Sequence, residues 1–130
     1  MITPGRLDLM AQRWTPFIYV IAFEGFDFSA ATFAMDVRLY RDAPGAALIA
    51  LTNAASNAQG VSVSVTTDDG VPTSEVQIRI NETTLEGLLL AAAGAGKDVV
   101  AVYDLHITGG GLAKTRWVEG SFTIRAGATQ

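Results

Sequence analysis

Alternation of apolar and polar residues, broken at even intervals by turn residues, is the feature that most limits the fold of this chain. Over residues 60–67, valines alternate with serines and threonines, and residues 75–80 repeat the pattern after the turn at Asp68-Asp69-Gly70. We expect these two runs to form a hairpin whose connection is longer than two residues. A period of two residues is typical of a strand with one buried face. Several such runs predict an all-β, mainly antiparallel sandwich of the immunoglobulin-like or jelly-roll type.

Further strands follow from similar runs elsewhere. They lie at residues 6–11, 16–23, 32–40 and 46–51, and residues 97–125 contain two long strands joined by a glycine-rich turn. The run FIYVIAF at residues 17–23 is apolar throughout, which predicts a strand buried on both faces. No linker or repeat divides the chain. We therefore expect a single sandwich domain over residues 1–130, with residues 1–14 as a candidate docking arm.

One helix is expected at residues 84–93. Thr83-Thr84-Leu85-Glu86 has the capping-box pattern, in which the threonine hydroxyl binds a free amide and the glutamate reaches back to the helix start. Gly94 can adopt the left-handed conformation that ends a helix. The leucines of this segment fall on one side, so the helix is predicted to close an open end of the sandwich.

The composition indicates a domain that depends on packing and favours association. The 130 residues include no cysteine, so no disulfide or thiolate site contributes. Charged residues make up 17% of the chain, against about 25% in typical soluble domains, and apolar residues make up 49%. Either alanine inflates the apolar fraction or partner subunits cover apolar surface, and the low charge favours a homo-oligomer. The net charge of −4 argues against nucleic acid as a partner.

The run at residues 17–23 is also the only candidate for a membrane or targeting segment. Its seven residues are far fewer than the roughly 20 that a spanning helix needs, and no small-residue cleavage site accompanies it. We therefore expect no membrane partner, no export signal and synthesis in the cytoplasm.

Two motifs resemble ligand or catalytic sites. Gly94-Ala95-Gly96-Lys97 resembles part of a phosphate-binding loop, but Ala91 replaces the first glycine and Asp98 replaces the serine or threonine. Asp104 and His106 share one strand face, as an acid–base pair or two metal ligands would. His106 is the only histidine and no cysteine can complete a zinc site, so cross-strand hydrogen bonding is the preferred interpretation. We expect no catalytic residue, no cofactor and no metal.

Aromatic residues on outer faces are the best candidates for an interface. In residues 116–125 apolar side chains alternate inward, which places Trp117 outward. An exposed tryptophan is costly unless an arginine of the same chain or a neighbouring subunit covers it, and tryptophan is enriched at binding hot spots. Trp14 likewise needs cover, either within the chain or from a neighbouring subunit. The predicted interface residues are Trp14, Tyr19, Tyr40 and Trp117, with Arg38 and His106 at the polar rim.

Six short motifs carry a resemblance to a known group of proteins. They are RWTPF at residues 13–17, FEGFD at 23–27, AMDVR at 34–38, Asp42-x-x-Gly45, YDLHI at 103–107 and RWVEGSF at 116–122. In this order they resemble small virion proteins encoded by tailed bacteriophages and prophages and, more distantly, the N-terminal β-sandwich domain of phage upper baseplate proteins. The resemblance spans most of the chain, and the motifs are structural in character.

The resemblance implies a non-enzymatic structural protein of the virion, assembled in the host cytoplasm. Its expected place is the tail, baseplate or fibre attachment region, and its expected partners are other virion proteins and itself. The sequence stops at Gln130 without a coiled coil or receptor-binding extension. This favours an adaptor or capsid decoration protein over a complete fibre anchor.

Two hypotheses from other classes remain open. The first is a carbohydrate-binding module, in which Trp117 and Tyr40 stack on the sugars of a bacterial surface glycan. The second is an enzyme that uses Asp104 and His106, and it is the least favoured because no motif indicates a substrate.

Overall fold

The computed structural model describes residues 5–88, 96–109 and 111–127, which form nine strands and one short helix. The structure is mostly β, with 61% strand, and two mainly antiparallel sheets pack as a sandwich. The alternating sequence pattern therefore predicted the fold class correctly. The elements are β1 Gly5–Arg6, β2 Leu9–Gln12, β3 Phe17–Glu24, β4 Thr32–Arg38, β5 Ile49–Thr52, β6 Gly60–Asp68, β7 Val71–Ile80, α1 Glu82–Leu88, β8 Val99–Gly109 and β9 Leu112–Arg125.

The two sheets differ in size. The first sheet has the order β1-β9-β8-β4-β5, with β2 also paired to β9, and the second has the order β3-β7-β6. Side chains from both inner faces form one core between the sheets, because the inward positions of the strands carry apolar residues. The largest fully buried side chains include Phe28, Phe33, Met35, Ile78, Leu105 and Phe122.

The N-terminal segment completes one edge of the first sheet. Both β1 and β2 run parallel to β9, and Leu9 and Ala11 are buried in the core. Residues 5–12 therefore belong to the sheet of this domain instead of extending from it as the predicted arm. Residues 1–4 lie outside the described residues.

The junction between β1 and β2 is fixed to β8 and β9 by three hydrogen bonds. The amide of Leu7 donates to the carbonyl of Glu119 at 2.9 Å, and the hydroxyl of Tyr103 donates to the carbonyl of Leu7 at 2.5 Å. The amide of Ser121 donates to the carboxylate of Asp8 at 3.0 Å. This bond holds the pKa of Asp8 below its usual range, whereas burial raises the pKa of Tyr103 above its own.

The hairpin between β6 and β7 is tighter than predicted. β6 ends at Asp68 and β7 begins at Val71, and these two residues pair with each other, so only two residues form the turn. Asp69 has φ 50° and Gly70 has φ 79°. Positive φ at both positions is the geometry of a type I′ turn, which matches the twist of the flanking strands. The prediction of a longer connection is therefore wrong.

The strand β3 is not buried on both faces, contrary to the prediction from its apolar sequence. Phe17 is 7% exposed, but Ile18 and Val20 on the opposite face are 46% and 49% exposed. The reason is that β3 lies at the edge of a three-stranded sheet, and no described element packs on the outside of that sheet.

The helix α1 begins two residues before the predicted start. The carbonyl of Asn81 accepts hydrogen bonds from the amides of Thr84 and Leu85, so the helix starts directly after Asn81. The capping-box prediction is wrong because the carboxylate of Glu86 binds Arg13 instead of reaching back. Leu85 is fully buried, as expected for a helix that closes the sandwich.

The predicted helix end at Gly94, and most of the loop that resembles a phosphate-binding motif, lie outside the described residues. Within the described part of the chain, no helix combines the length and the apolar character that crossing a membrane requires.

Candidate functional site

A row of carboxylates crosses the outer face of the first sheet. Asp36 of β4 is the cross-strand partner of Asp104 of β8, which in turn is the partner of Glu119 of β9. Directly opposite side chains on one sheet face lie close together, and like charges at such positions destabilise a sheet. The row therefore needs basic groups beside it.

Basic side chains surround this row at ion-pair distances. Arg38 lies 3.5 Å from Asp36, and Arg116 lies 3.6 Å from Asp104 and 3.5 Å from Glu119. The Nε2 atom of His106 lies 3.4 Å from the Oδ2 atom of Asp104. At these distances the basic groups offset the negative charges of the row. The contacts are longer than tight, charge-assisted hydrogen bonds, which are typically about 2.7–2.9 Å long.

The loop between β4 and β5, residues 39–48, lines one side of the row. The guanidinium of Arg38 holds the loop by donating to the carbonyls of Ala43 at 2.9 Å and Gly45 at 2.7 Å. From the same loop, Arg41 reaches Glu119 at 3.2 Å. Between the loop and the sheet lies a groove of about 250 Å³, and Tyr40, 58% exposed, stands at its edge. We call this feature the outer groove.

The outer groove brings together three of the six predicted interface residues. Arg38, Tyr40 and His106 all line it. Asp104 and His106 share a strand face, as predicted, and are in contact. The Nε2 atom of His106 is buried and has no hydrogen-bond partner among the residues that the structure describes, since its approach to Asp104 lacks hydrogen-bond geometry. A buried nitrogen without a partner is uncommon, and it marks a place where a ligand or an ordered water would be favourable.

Trp117 lies against the core, and the prediction that it points outward is wrong. Leu105 of β8 pairs with Val118 of β9, but the next residue, His106, pairs with Arg116. Trp117 is therefore the extra residue of a β-bulge, which shifts the alternation of the strand by one position. The sequence pattern alone does not reveal such a shift.

The ring of Trp117 belongs to an aromatic cluster. It packs edge to face against Phe23, Phe26 and Phe28, with centroid distances of 5.6, 4.9 and 5.7 Å. The hydroxyl of Ser74 fixes the loop that carries two of these rings, because it accepts from the amide of Phe28 and donates to the carbonyl of Phe26. A ring enclosed in this way cannot form a sugar-stacking pair with Tyr40 on the outer surface.

The other two predicted interface residues flank the start of β3. Trp14 is 49% exposed, adopts φ 69°, and the guanidinium of Arg13 lies 4.8 Å above its ring. Such a conformation is strained for a bulky residue. Tyr19 is 38% exposed and its ring lies parallel to that of Phe17, with the centroids 6.4 Å apart. The structure therefore separates Trp14 and Tyr19 from the outer groove.

Several site residues were missed in the sequence. Asp36 shares the strand parity of Arg38, so the alternation of β4 could have indicated it. Glu119 has the same strand parity as Trp117 in the sequence, but its alignment with Asp104 depends on the β8–β9 register. Arg41 belongs to a loop, where no periodic signal exists. Across the described residues, no cluster of histidine, aspartate and glutamate has the arrangement of a metal site.

Comparison of the sequence with protein-family models gave no match, and comparison with curated protein sequences gave no significant match either.

Proposed function

We propose that this protein is a non-enzymatic structural component of a larger protein assembly, and that copies of the chain join through β3. The observation that carries the proposal is the exposed apolar edge of the second sheet. Within the described residues, β3 pairs with β7 on one side and with no strand on the other. Its sequence, FIYVIAF before Glu24, contains no charge that would discourage pairing with another strand.

The outer side chains of β3 strengthen this interpretation. Ile18 and Val20 are about half exposed, and both lie on the face that points away from the core. Polar and charged side chains, including Gln77 and Glu75, occupy the same face of the neighbouring β7. Where β7 pairs with β3, over residues 73–80, the exposed apolar side chains of this face are therefore confined to the edge strand. An edge strand of this kind favours association by extension of the sheet, in which backbone hydrogen bonds and apolar contacts form together.

A second apolar surface lies on the outer face of the first sheet. Met10 of β2 and Val100 of β8 occupy one cross-strand row with Thr123 of β9 between them, and they are 55% and 66% exposed. Two separate apolar surfaces on one small domain support contacts with more than one neighbour. This is the arrangement that a component of an extended assembly needs.

The kind of assembly is proposed from the sequence motifs. Their resemblance to small virion proteins of tailed bacteriophages supports a place in the tail, the baseplate or the fibre attachment region, with capsid decoration as the alternative. Other virion proteins and further copies of this chain are the proposed partners. The low fraction of charged residues, 17%, agrees with a chain that covers part of its surface with partners.

The proposed contact is tested by the solution mass of the purified chain. We expect the wild-type protein to form a discrete oligomer of the 13.7 kDa chain in light scattering. Val20→Lys places a charge on the outer face of β3 and should shift the mass to that of the monomer. Ser64→Lys places the same charge on the same face of the other edge strand, β6, and should leave the oligomer intact.

Two results would overturn the contact. One is a wild-type chain that stays monomeric up to about 1 mM, where an association of about −4 kcal/mol would already be populated. The other is an oligomer that survives Val20→Lys but dissociates with Ser64→Lys. The virion role is tested separately, by mass spectrometry of tailed particles purified from the source strain and by immunogold labelling of head and tail. Particles that lack the chain would exclude that role.

A further inference from the structure

The charges of the outer groove are nearly balanced. Four carboxylates line it, and they face three guanidinium groups and the imidazole of His106. A site for an anion or a cation normally presents a clear excess of one sign, which raises the local concentration of the opposite charge. The balance here favours a neutral, polar ligand.

The groove also holds unused hydrogen-bonding capacity. Arg38 donates hydrogen bonds to the carbonyls of the loop. Within the described residues, Arg41 and Arg116 make only ion-pair contacts, of 3.2 to 3.6 Å. None of these contacts is a side-chain hydrogen bond, and the carboxylates of Asp104 and Glu119 accept none there. Donors and acceptors without hydrogen-bonded partners therefore stand next to one another along the groove.

We propose that the outer groove binds a carbohydrate. A sugar hydroxyl both donates and accepts, so neighbouring hydroxyls match neighbouring carboxylates and guanidinium groups. The exposed ring of Tyr40 offers a flat apolar surface to the C–H face of a sugar. The volume of about 250 Å³ lies just below the roughly 300–1,000 Å³ of drug-sized sites, which suits one sugar ring of a longer glycan.

This proposal goes beyond the structural role and does not depend on it. A basic peptide is the competing ligand, because it could bind the row formed by Asp36, Asp104 and Glu119. The three guanidinium groups beside that row oppose it through like-charge repulsion. Any ligand that displaces the ion pairs must also replace their favourable energy. A neutral polyol avoids this cost because it can bridge the charged groups without separating them.

The test is a titration of the ¹⁵N-labelled full chain, followed by amide chemical shifts. The probes are glucose, galactose, mannose and N-acetylglucosamine, each added to high millimolar concentration, and an octalysine peptide as the competing class. We expect at least one sugar to cause saturable shifts centred on Asp104, His106 and Glu119. The peptide should cause none there.

Three variants locate the binding. Glu119→Gln removes one charged acceptor and should weaken binding of that sugar about tenfold, the usual effect of losing one charge-assisted hydrogen bond. Tyr40→Ala should weaken it about fivefold and Tyr40→Phe should not, because only the alanine removes the aromatic face. Glu75→Gln, on the outer face of the second sheet, is the matched control and should bind normally.

The outcomes separate the alternatives. Tyr40 is exposed, so its variants keep the fold, and their unchanged spectra away from the groove will show this. No saturable shift with any of the four sugars would overturn the proposal. Saturable shifts with octalysine alone would replace it with a site for basic peptides. Sugar binding that Glu119→Gln and Tyr40→Ala leave unchanged would place the site elsewhere and overturn it as well.

Discussion

The close approach of the N-terminal segment to Gly120 makes Gly120→Ala a sensitive test of how the first sheet is built. A Cβ atom at Gly120 would lie 2.3 Å from the carbonyl oxygen of Leu7, 2.8 Å from its carbonyl carbon and 2.9 Å from the Oδ1 atom of Asp8. Backbone atoms cannot rotate away as the end of a side chain can. The segment that joins β1 to β2 would have to move by about 1 Å to reach ordinary contact distances.

The cost follows from the bonds that hold this segment. A shift of that size breaks the hydrogen bonds from Leu7 to Glu119, from Tyr103 to Leu7 and from Ser121 to Asp8. The first two bonds are each worth about 1 kcal/mol net, so we expect the free energy of unfolding to fall by about 2 kcal/mol. This is a large fraction of the roughly 5–15 kcal/mol that stabilises a typical domain.

Urea unfolding followed by circular dichroism measures the effect, and hydrogen exchange locates it. In Gly120→Ala, the amides of Leu7 and Ser121 should exchange faster than in the wild type. Gly5→Ala is the matched control, since a Cβ atom there meets only the carbonyl oxygen of Trp117 at 3.8 Å. A Gly120→Ala variant within about 0.5 kcal/mol of the wild type, the range of neutral surface changes, would refute the packing argument.

Three further predictions concern single contacts. Arg13→Ala leaves the carboxylate of Glu86, 16% exposed, without its bidentate partner, and thermal unfolding should show a loss of about 2–4 kcal/mol. Gly87→Ala should raise the free energy of unfolding by about 0.5–1 kcal/mol, because a Cβ atom there meets nothing within 4 Å and alanine favours the helix. The hydrogen bond from the amide of Ser121 lowers the pKa of Asp8 in the folded state. The ionised carboxylate therefore stabilises the fold above the unfolded pKa, near 3.8, and this stabilisation is lost as the pH falls through the folded pKa. In acid titrations of unfolding, Asp8→Asn should therefore lose less stability than the wild type as the pH falls below about 5.

The fold class could be predicted from the sequence because the alternation of apolar and polar residues is local and strong. The two-residue period and the turn residues between the runs were enough to predict strands β6, β7 and β8. The glycine-rich reversal was also located correctly, since β8 ends at Gly109 and β9 begins at Leu112. What the alternation leaves open is the order of strands in each sheet, because pairing between distant segments depends on tertiary contacts. The parallel addition of β1 and β2 to β9 is of this kind.

The site was harder to predict because it depends on register. Asp104 and His106 could be placed on one face from their spacing alone. Trp117 could not, since one bulged residue reverses the inward and outward faces over that stretch of β9. The exposure of β3 was missed for another reason. An all-apolar run predicts burial, but the second sheet has only three strands and its outer face is uncovered by any described element.

The proposed assembly and the proposed carbohydrate site are geometrically compatible. The exposed side chains of Ile18 and Val20 belong to the outer face of the second sheet, whereas the outer groove lies on the outer face of the first. Packed sheets stand about 10 Å apart, so association through β3 leaves the groove open. A single small groove binds sugars weakly. Joined copies would present several grooves to one glycan surface, and the high effective concentration of the second site would raise the overall affinity without any new contact. A weak sugar site on each subunit would therefore be enough for an oligomer to bind a glycan surface tightly.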